Sequence, residues 1–232
     1  MDKIKITIDG REIEAKKGQT IMEAADEAGI YIPRLCYHPD LAPAGHCRVC
    51  TVEINGKLNN SCTMPAEDGM VIKNDTPELK KMRREIIEML FVEGNHFCPF
   101  CEKSGDCELQ ALAYRFGMLT PTYPYQYKDI EVDASHPDIF LDRNRCVLCG
   151  RCIRASRDID GKSVFGFEGR GIDKRIAVNA KGPLSETQMQ AADKAASVCP
   201  TGTIVIKRVG YAKPFGTRLY DKEPIGSDIE KK

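Results

Sequence analysis

The stretch Arg145-Cys146-Val147-Leu148-Cys149-Gly150-Arg151-Cys152, answered much later by Cys199-Pro200, decides how this sequence is read. Cysteines at every third position put three thiols on one tight loop, and a fourth beside a proline closes the set from a distance. Three thiolates at that interval with one remote partner suit the corners of a cubane iron-sulfur core. A single structural zinc ion is more often held by paired C-x2-C motifs. Zinc stays as the competing metal.

The remaining cysteines form two further groups. Cys36, Cys47, Cys50 and Cys62 are spaced C-x10-C-x2-C-x11-C, and Cys98, Cys101 and Cys107 follow shortly after His96. Four, three and four use all 11 cysteines of the 232 residues. Inert buried cysteines would occupy apolar periodic positions instead of C-x2-C pairs among Gly, Pro and Arg. Disulfides suit the pattern poorly, because the count is odd and no charged n-region with an apolar h-region opens the chain. The expectation is a cytoplasmic protein whose cysteines hold cofactors.

Charge narrows the function further. Lys plus Arg number 34 and Asp plus Glu also number 34. An interleaved, neutral surface lacks the basic surplus that phosphate neutralisation requires, so nucleic acid is not an expected partner. The apolar stretch from Ile86 to Val92 is interrupted by Glu88 and falls far short of the roughly 18 residues of a membrane-spanning helix. Gly166-Phe167-Glu168-Gly169-Arg170-Gly171 has the wrong spacing for a dinucleotide loop, and no Walker lysine is present. Neither flavin nor nucleotide is expected on this chain, and no acid, base or nucleophile constellation emerges.

The element pattern predicts an α+β protein. Ile4 to Ile8 and Glu12 to Ala15 alternate as a hairpin around Asp9-Gly10. Thr20 to Glu23 offers a capping box for a helix with Ile21, Ala24, Ala25 and Ala28 on one face. Short strands are expected at Thr51 to Ile54 and Val71 to Lys73. A long helix then starts with Thr76 as cap and Pro77 at its first position, burying Leu79, Met82, Ile86, Met89 and Leu90. Leu109, Leu112, Ala113 and Phe116 mark a helix over the second cysteine group. Strands are expected at Ile139 to Leu141, Ile176 to Val178 and Thr203 to Ile206, with a helix opened by Ser185 and Gln188. This divides the chain into 1–76, 77–136, 137–209 and a polar tail, 210–232, which is either disordered or docked on a partner.

Segment 1–76 resembles the beta-grasp fold of plant-type ferredoxins, although those space their ligands C-x4-C-x2-C. The C-x10-C-x2-C-x11-C spacing is similar to the 2Fe-2S domain that opens the large iron-sulfur subunit of NADH:quinone oxidoreductase and of related hydrogenase subunits. The resemblance implies a 2Fe-2S cluster on Cys36, Cys47, Cys50 and Cys62. His38 and His46 read as ordinary loop residues, because a Rieske centre would need histidine where Cys50 stands.

Gly94-Asn95-His96-Phe97-Cys98-Pro99-Phe100-Cys101, together with Cys107-Glu108-Leu109-Gln110, resembles the histidine-ligated cluster domain of NADH:quinone oxidoreductases, formate dehydrogenases and hydrogenases. The step of two from His96 to Cys98 is similar to the small iron-sulfur subunit of NAD-reducing NiFe hydrogenases. It implies a 4Fe-4S cluster on His96, Cys98, Cys101 and Cys107, with a three-cysteine, water-completed cluster as the alternative. One fewer negative charge than a four-thiolate site favours the reduced state. Residues 137–209 resemble a bacterial ferredoxin domain with one cubane, on Cys146, Cys149, Cys152 and Cys199. The places of a second set hold Ser156, Met189, Ala192 and Ala195. Arg143, Arg145, Arg151 and Arg154 offset cluster charge, face an acidic partner, or are solvated.

The resemblance implies an obligate hetero-oligomer. In it this chain relays single electrons between a flavin- and NAD(P)-binding diaphorase subunit and the small iron-sulfur subunit of a NiFe hydrogenase. An equivalent relay in an NAD-linked formate dehydrogenase or NADH oxidoreductase is the alternative. A zinc-binding structural interaction protein is the rival of another class.

Overall fold

The computed structural model describes residues 3–231. Strand β1 (Lys3–Ile8) pairs antiparallel with β2 (Arg11–Lys16) around Asp9 and Gly10, with φ of 50° and 82°. Positive φ at both turn residues matches the right-handed twist of the strands. Strands β3 (Thr51–Ile54), β4 (Lys57–Asn60) and β5 (Val71–Lys73) complete a sheet of order β2-β1-β5-β3-β4, in which β1 and β5 run parallel. Helix α1 (Ile21–Glu27) begins with the capping box: Glu23 N donates to Thr20 Oγ1 and Thr20 N to Glu23 Oε2. Its Ile21, Met22, Ala24 and Ala25 pack on Ile6, Ile8, Ile13 and Val52 of the sheet, closing the first core.

Helix α2 (Pro77–Val92) has Thr76 as its cap and Pro77 in its first turn. Its buried face differs from the apolar stripe expected. Leu79, Arg83, Ile87, Glu88 and Val92 are inside, whereas Met89 is 46% exposed. Hydrogen bonding accounts for the rotation. The Arg83 guanidinium donates to Thr51 O at 2.7 Å and to Asn74 O and Asn74 Oδ1 at 2.8 Å. The Glu88 carboxylate accepts from Thr122 Oγ1 and Tyr123 N. A charge with its partners supplied can be buried where apolar periodicity alone would turn it outward.

Helix α3 (Glu108–Arg115) follows. Leu109 and Leu112 join Ile87, Tyr31, Leu35 and Val49 in a core shared by α2, α3 and the loop of the first cysteine group. In the last domain β6 (Ile139–Leu141) pairs antiparallel with β9 (Ile204–Ile206), and β7 (Phe165–Glu168) pairs with β8 (Arg175–Val178). Helices α4 (Arg151–Asp158) and α5 (Lys194–Ser197) pack together beside these ribbons. The helix expected from Ser185 is only a single 3-10 turn at Leu184–Glu186, and the α-helical turn comes later, at α5.

The tail, expected to be docked on a partner or disordered, makes contacts with its own chain along its described part. Tyr220 N donates to Gly105 O, Leu219 N to Asp106 Oδ1 and Arg115 to Ile225 O. Ile225 is buried, and the short helix α6 (Ser227–Glu230) is fixed by an Arg115–Glu230 ion pair. Tyr211, Phe215 and Leu219 stay exposed. No helix is long and apolar enough to cross a membrane among the described residues.

Candidate iron-sulfur sites

The first cysteine group lies between the loop after α1 and the β3–β4 edge of the sheet. Cys36, Cys50 and Cys62 are buried and Cys47 is partly so. The sulfurs bear on one another: Cys47 and Cys62 pull the Cys36 thiol down, and their own thiols are raised in turn. Cys36 N also donates to Cys47 Sγ at 3.3 Å. Arg48, with φ of 61°, turns the loop between Cys47 and Cys50. All four donors expected from the sequence meet here.

His96, Cys98, Cys101 and Cys107 line one cavity together with Phe91, Arg145 and Gly202. Cys107 also caps α3, its sulfur accepting from Gln110 N at 3.5 Å, and burial pushes its thiol up to about 12. Burial pulls the His96 imidazole down to about 4, so the ring is neutral at physiological pH. Its Nε2 is buried and has no hydrogen-bond partner. An unprotonated ring nitrogen sharing a cavity with three thiols is the donor set that a histidine-ligated cluster uses. Gly202 makes room for it, because a Cβ there would stand 2.5 Å from Cys101 Sγ.

The third group lines a second cavity: Cys146, Cys149, Cys152 and Cys199, with Phe167, Ile176, Pro200 and Thr203 around them. Leu148 (φ 51°) and Gly150 (φ 68°) bend the loop tightly, and Gly150 is the cap of α4, which carries Cys152. Burial pushes Cys149 up to about 12 and raises Cys146 and Cys152. Thiols this desolvated stay protonated unless a metal takes the proton's place. Ser156, Met189 and Ala195, at the places of a second ferredoxin set, are buried in ordinary packing. Among the described residues no group of three His, Cys, Asp or Glu side chains is placed to hold a single metal ion.

Of the four arginines around the third group, for which charge offset, a partner surface and solvation were all open, two are internal and two are partly buried. Arg151 and Arg154 are 2% and 7% exposed. Arg154 donates to Cys36 O at 2.6 Å and reaches Cys149 O at 3.4 Å, linking the first and third groups. Arg151 grips Glu108 with both terminal nitrogens and donates to Tyr37 O at 2.6 Å. His46, expected to be an ordinary loop residue, places Nδ1 3.2 Å from Cys149 O. Sequence spacing could not bring these partners out, because most of them are backbone carbonyls.

Residues 1–77 match the 2Fe-2S iron-sulfur cluster binding domain, 83–121 the NADH-ubiquinone oxidoreductase-G iron-sulfur binding region, and 139–206 the 4Fe-4S single cluster domain. The NAD-reducing hydrogenase HoxS subunit gamma of Cupriavidus necator is 41% identical over 223 residues, covering 96% of this chain and 95% of that one. The chain belongs to this family of NAD-reducing hydrogenase gamma subunits. A crystal structure of NAD+-reducing [NiFe]-hydrogenase in the H2-reduced state contains a chain that superposes with a TM-score of 0.92 at 46% identity, covering 95% of this chain and 94% of that one. The mitochondrial NADH-ubiquinone oxidoreductase 78 kDa subunit of Candida albicans is 34% identical over 97% of this chain, which spans only 32% of that protein. As a member of the hydrogenase gamma family, the chain is an iron-sulfur electron-transfer subunit with one 2Fe-2S and two 4Fe-4S domains.

Proposed function

We propose that this chain carries single electrons between a flavin- and NAD(P)-binding diaphorase subunit and the small iron-sulfur subunit of a NiFe hydrogenase, within a cytoplasmic hetero-oligomer. Clusters bound to it supply one-electron redox steps, which divide a two-electron hydride event into sequential transfers. Residues 1–76 hold the 2Fe-2S cluster through Cys36, Cys47, Cys50 and Cys62. Residues 77–136 hold a 4Fe-4S cluster through His96, Cys98, Cys101 and Cys107. Residues 137–209 hold the other 4Fe-4S cluster through Cys146, Cys149, Cys152 and Cys199.

The observation that carries this reading is the buried, partnerless Nε2 of His96 in the cavity of Cys98, Cys101 and Cys107. A structural histidine that deep would be hydrogen-bonded at that nitrogen. The similarity to the 78 kDa subunit keeps a relay in an NADH oxidoreductase as the second reading, although that protein is about three times as long. A formate dehydrogenase relay has no such observation in its favour.

Anaerobic purification of the native complex tests the function. The expected result is about ten iron and about ten acid-labile sulfide per chain, together with nickel in the co-purifying subunits. Zinc in place of iron would leave only the structural, zinc-binding interpretation, and molybdenum in place of nickel would move the partner to a formate dehydrogenase.

A further inference from the structure

Arg145 stands beside a ligand of one proposed cluster and points at a ligand of another. Its backbone precedes Cys146, and its carbonyl accepts from Thr201 Oγ1 at 2.9 Å, which fixes the main chain next to the Cys199 loop. The side chain turns the other way. Its guanidinium lies 3.3 Å from Cys101 Sγ, inside the cavity of the second group. The arginine side chain is 17% exposed, and Asp142 Oδ2 stands 2.9 Å from its Nε as an ion pair. That Nε is not aligned for a hydrogen bond.

A second, independent feature preserves the contact. Gly202 has no side chain where a Cβ would meet Cys101 Sγ at 2.5 Å, Arg145 Cδ at 3.2 Å and the guanidinium at 3.3 Å. Space is kept free at the point where sulfur and cation approach. Hydrogen bonds to ligand sulfurs and positive charge nearby both favour the more negative, reduced state of an iron-sulfur centre.

We propose that Arg145 is a positioning residue for electron transfer: it donates a charge-assisted hydrogen bond to Cys101 Sγ and thereby raises the potential of the histidine-ligated centre. Histidine in place of a fourth thiolate removes one negative charge, and Arg145 offsets another. The guanidinium also joins the second ligand cavity to the loop of the third. The inference rests on the ligand assignment above.

The test is an EPR-monitored redox titration of the native complex carrying Arg145→Gln, Arg145→Lys or Gly202→Ala. Arg145→Gln is expected to shift the midpoint potential of the histidine-ligated centre downward and to leave that of the 2Fe-2S centre in place. Arg145→Lys, which keeps the charge, should restore most of the shift. Gly202→Ala should shift the same centre by crowding the contact.

A separate measurement needs no variant. In complex labelled with 15N-arginine, pulsed EPR of the reduced centre should detect an arginine nitrogen and a proton that exchanges in D2O. An unchanged potential in an iron-loaded Arg145→Gln complex, or no arginine nitrogen in the labelled complex, overturns the role of Arg145. Absence of iron from the wild-type chain would instead overturn the ligand assignment.

Discussion

Arg151 and Glu108 form a bidentate ion pair, with N···O distances of 2.6 Å and 2.7 Å, between helix α4 of the last domain and helix α3 of the middle one. Each residue is the chain neighbour of a candidate ligand, Glu108 after Cys107 and Arg151 before Cys152. The same guanidinium donates to Tyr37 O, next to Cys36, and reaches Val198 O, next to Cys199, at 3.4 Å. The three cluster domains meet on one buried cation.

Removing that cation should be costly. Arg151→Met strands a Glu108 carboxylate that is 23% exposed and is expected to destabilise the fold by about 3 kcal/mol. The paired change Arg151→Met with Glu108→Leu should cost less than Arg151→Met alone, because no unpaired charge is left behind. Denaturant unfolding of these two variants and of Glu108→Leu beside wild type decides the point, and single losses that simply add in the double variant would mean that the pair is not coupled.

His96→Cys is expected to keep a four-iron centre in the middle domain and to lower its potential by adding a negative charge to the ligand set. His96→Ala should release iron from that domain alone. A redox titration of the first variant and an iron count of the second are sufficient. Retention of potential and iron in both would exclude His96 as a ligand.

Arg83 is buried deep in the first interdomain contact, where burial lowers its guanidinium to about 10. Arg83→Leu leaves Thr51 O, Asn74 O and Asn74 Oδ1 without their donor. The loss should be about 3 kcal/mol, read as a lower unfolding midpoint with the iron content of the native protein unchanged.

Gly226 has φ of 94° and packs against the Tyr31 ring, where a Cβ would lie 2.3 Å from the ring carbons. Gly226→Ala should therefore detach the end of the tail. Limited trypsin digestion should cleave the variant at Arg218 and Lys222 faster than wild type; equal rates would place the anchor elsewhere, at Arg218–Asp221 or Arg115–Glu230.

Chelation of iron should loosen the domains unequally. The five-stranded sheet has a core of Ile6, Ile8, Val52 and Ile72 against α1, whereas the last domain packs two two-stranded ribbons and the short helices α4 and α5 around Cys146, Cys152 and Cys199. Two-stranded ribbons are marginal alone. Amide exchange should accelerate first in β6 to β9 and last in β1 and β5.

Much of this was legible in the sequence because it is local. The Asp9-Gly10 turn, the Thr20 capping box, Thr76 with Pro77, and the C-x2-C steps within each cysteine group all depend on residues close together in the chain. Strand β4 carried a comparable signal in Asn55-Gly56, a two-residue turn with positive φ at both positions, but the polar Lys-Leu-Asn-Asn strand shows no alternation to accompany it. Arg83, Glu88, Arg151 and Arg154 were not legible as interior residues, since their partners are carbonyls, amides and carboxylates brought together by tertiary packing. The contacts of the tail were not legible for a related reason: lacking periodicity, it is held by Tyr31, Asp106 and Arg115, all distant in sequence.

Tyr37, Glu108 and Val198 are widely separated in the polypeptide yet share the guanidinium of residue 151. Pieces that look like interchangeable building blocks therefore depend on one another for their packing. A chimera that borrowed its middle third from a relative without an acid at position 108 would bury a bare cation, so exchange of modules is constrained at a single side chain in the interior of the chain.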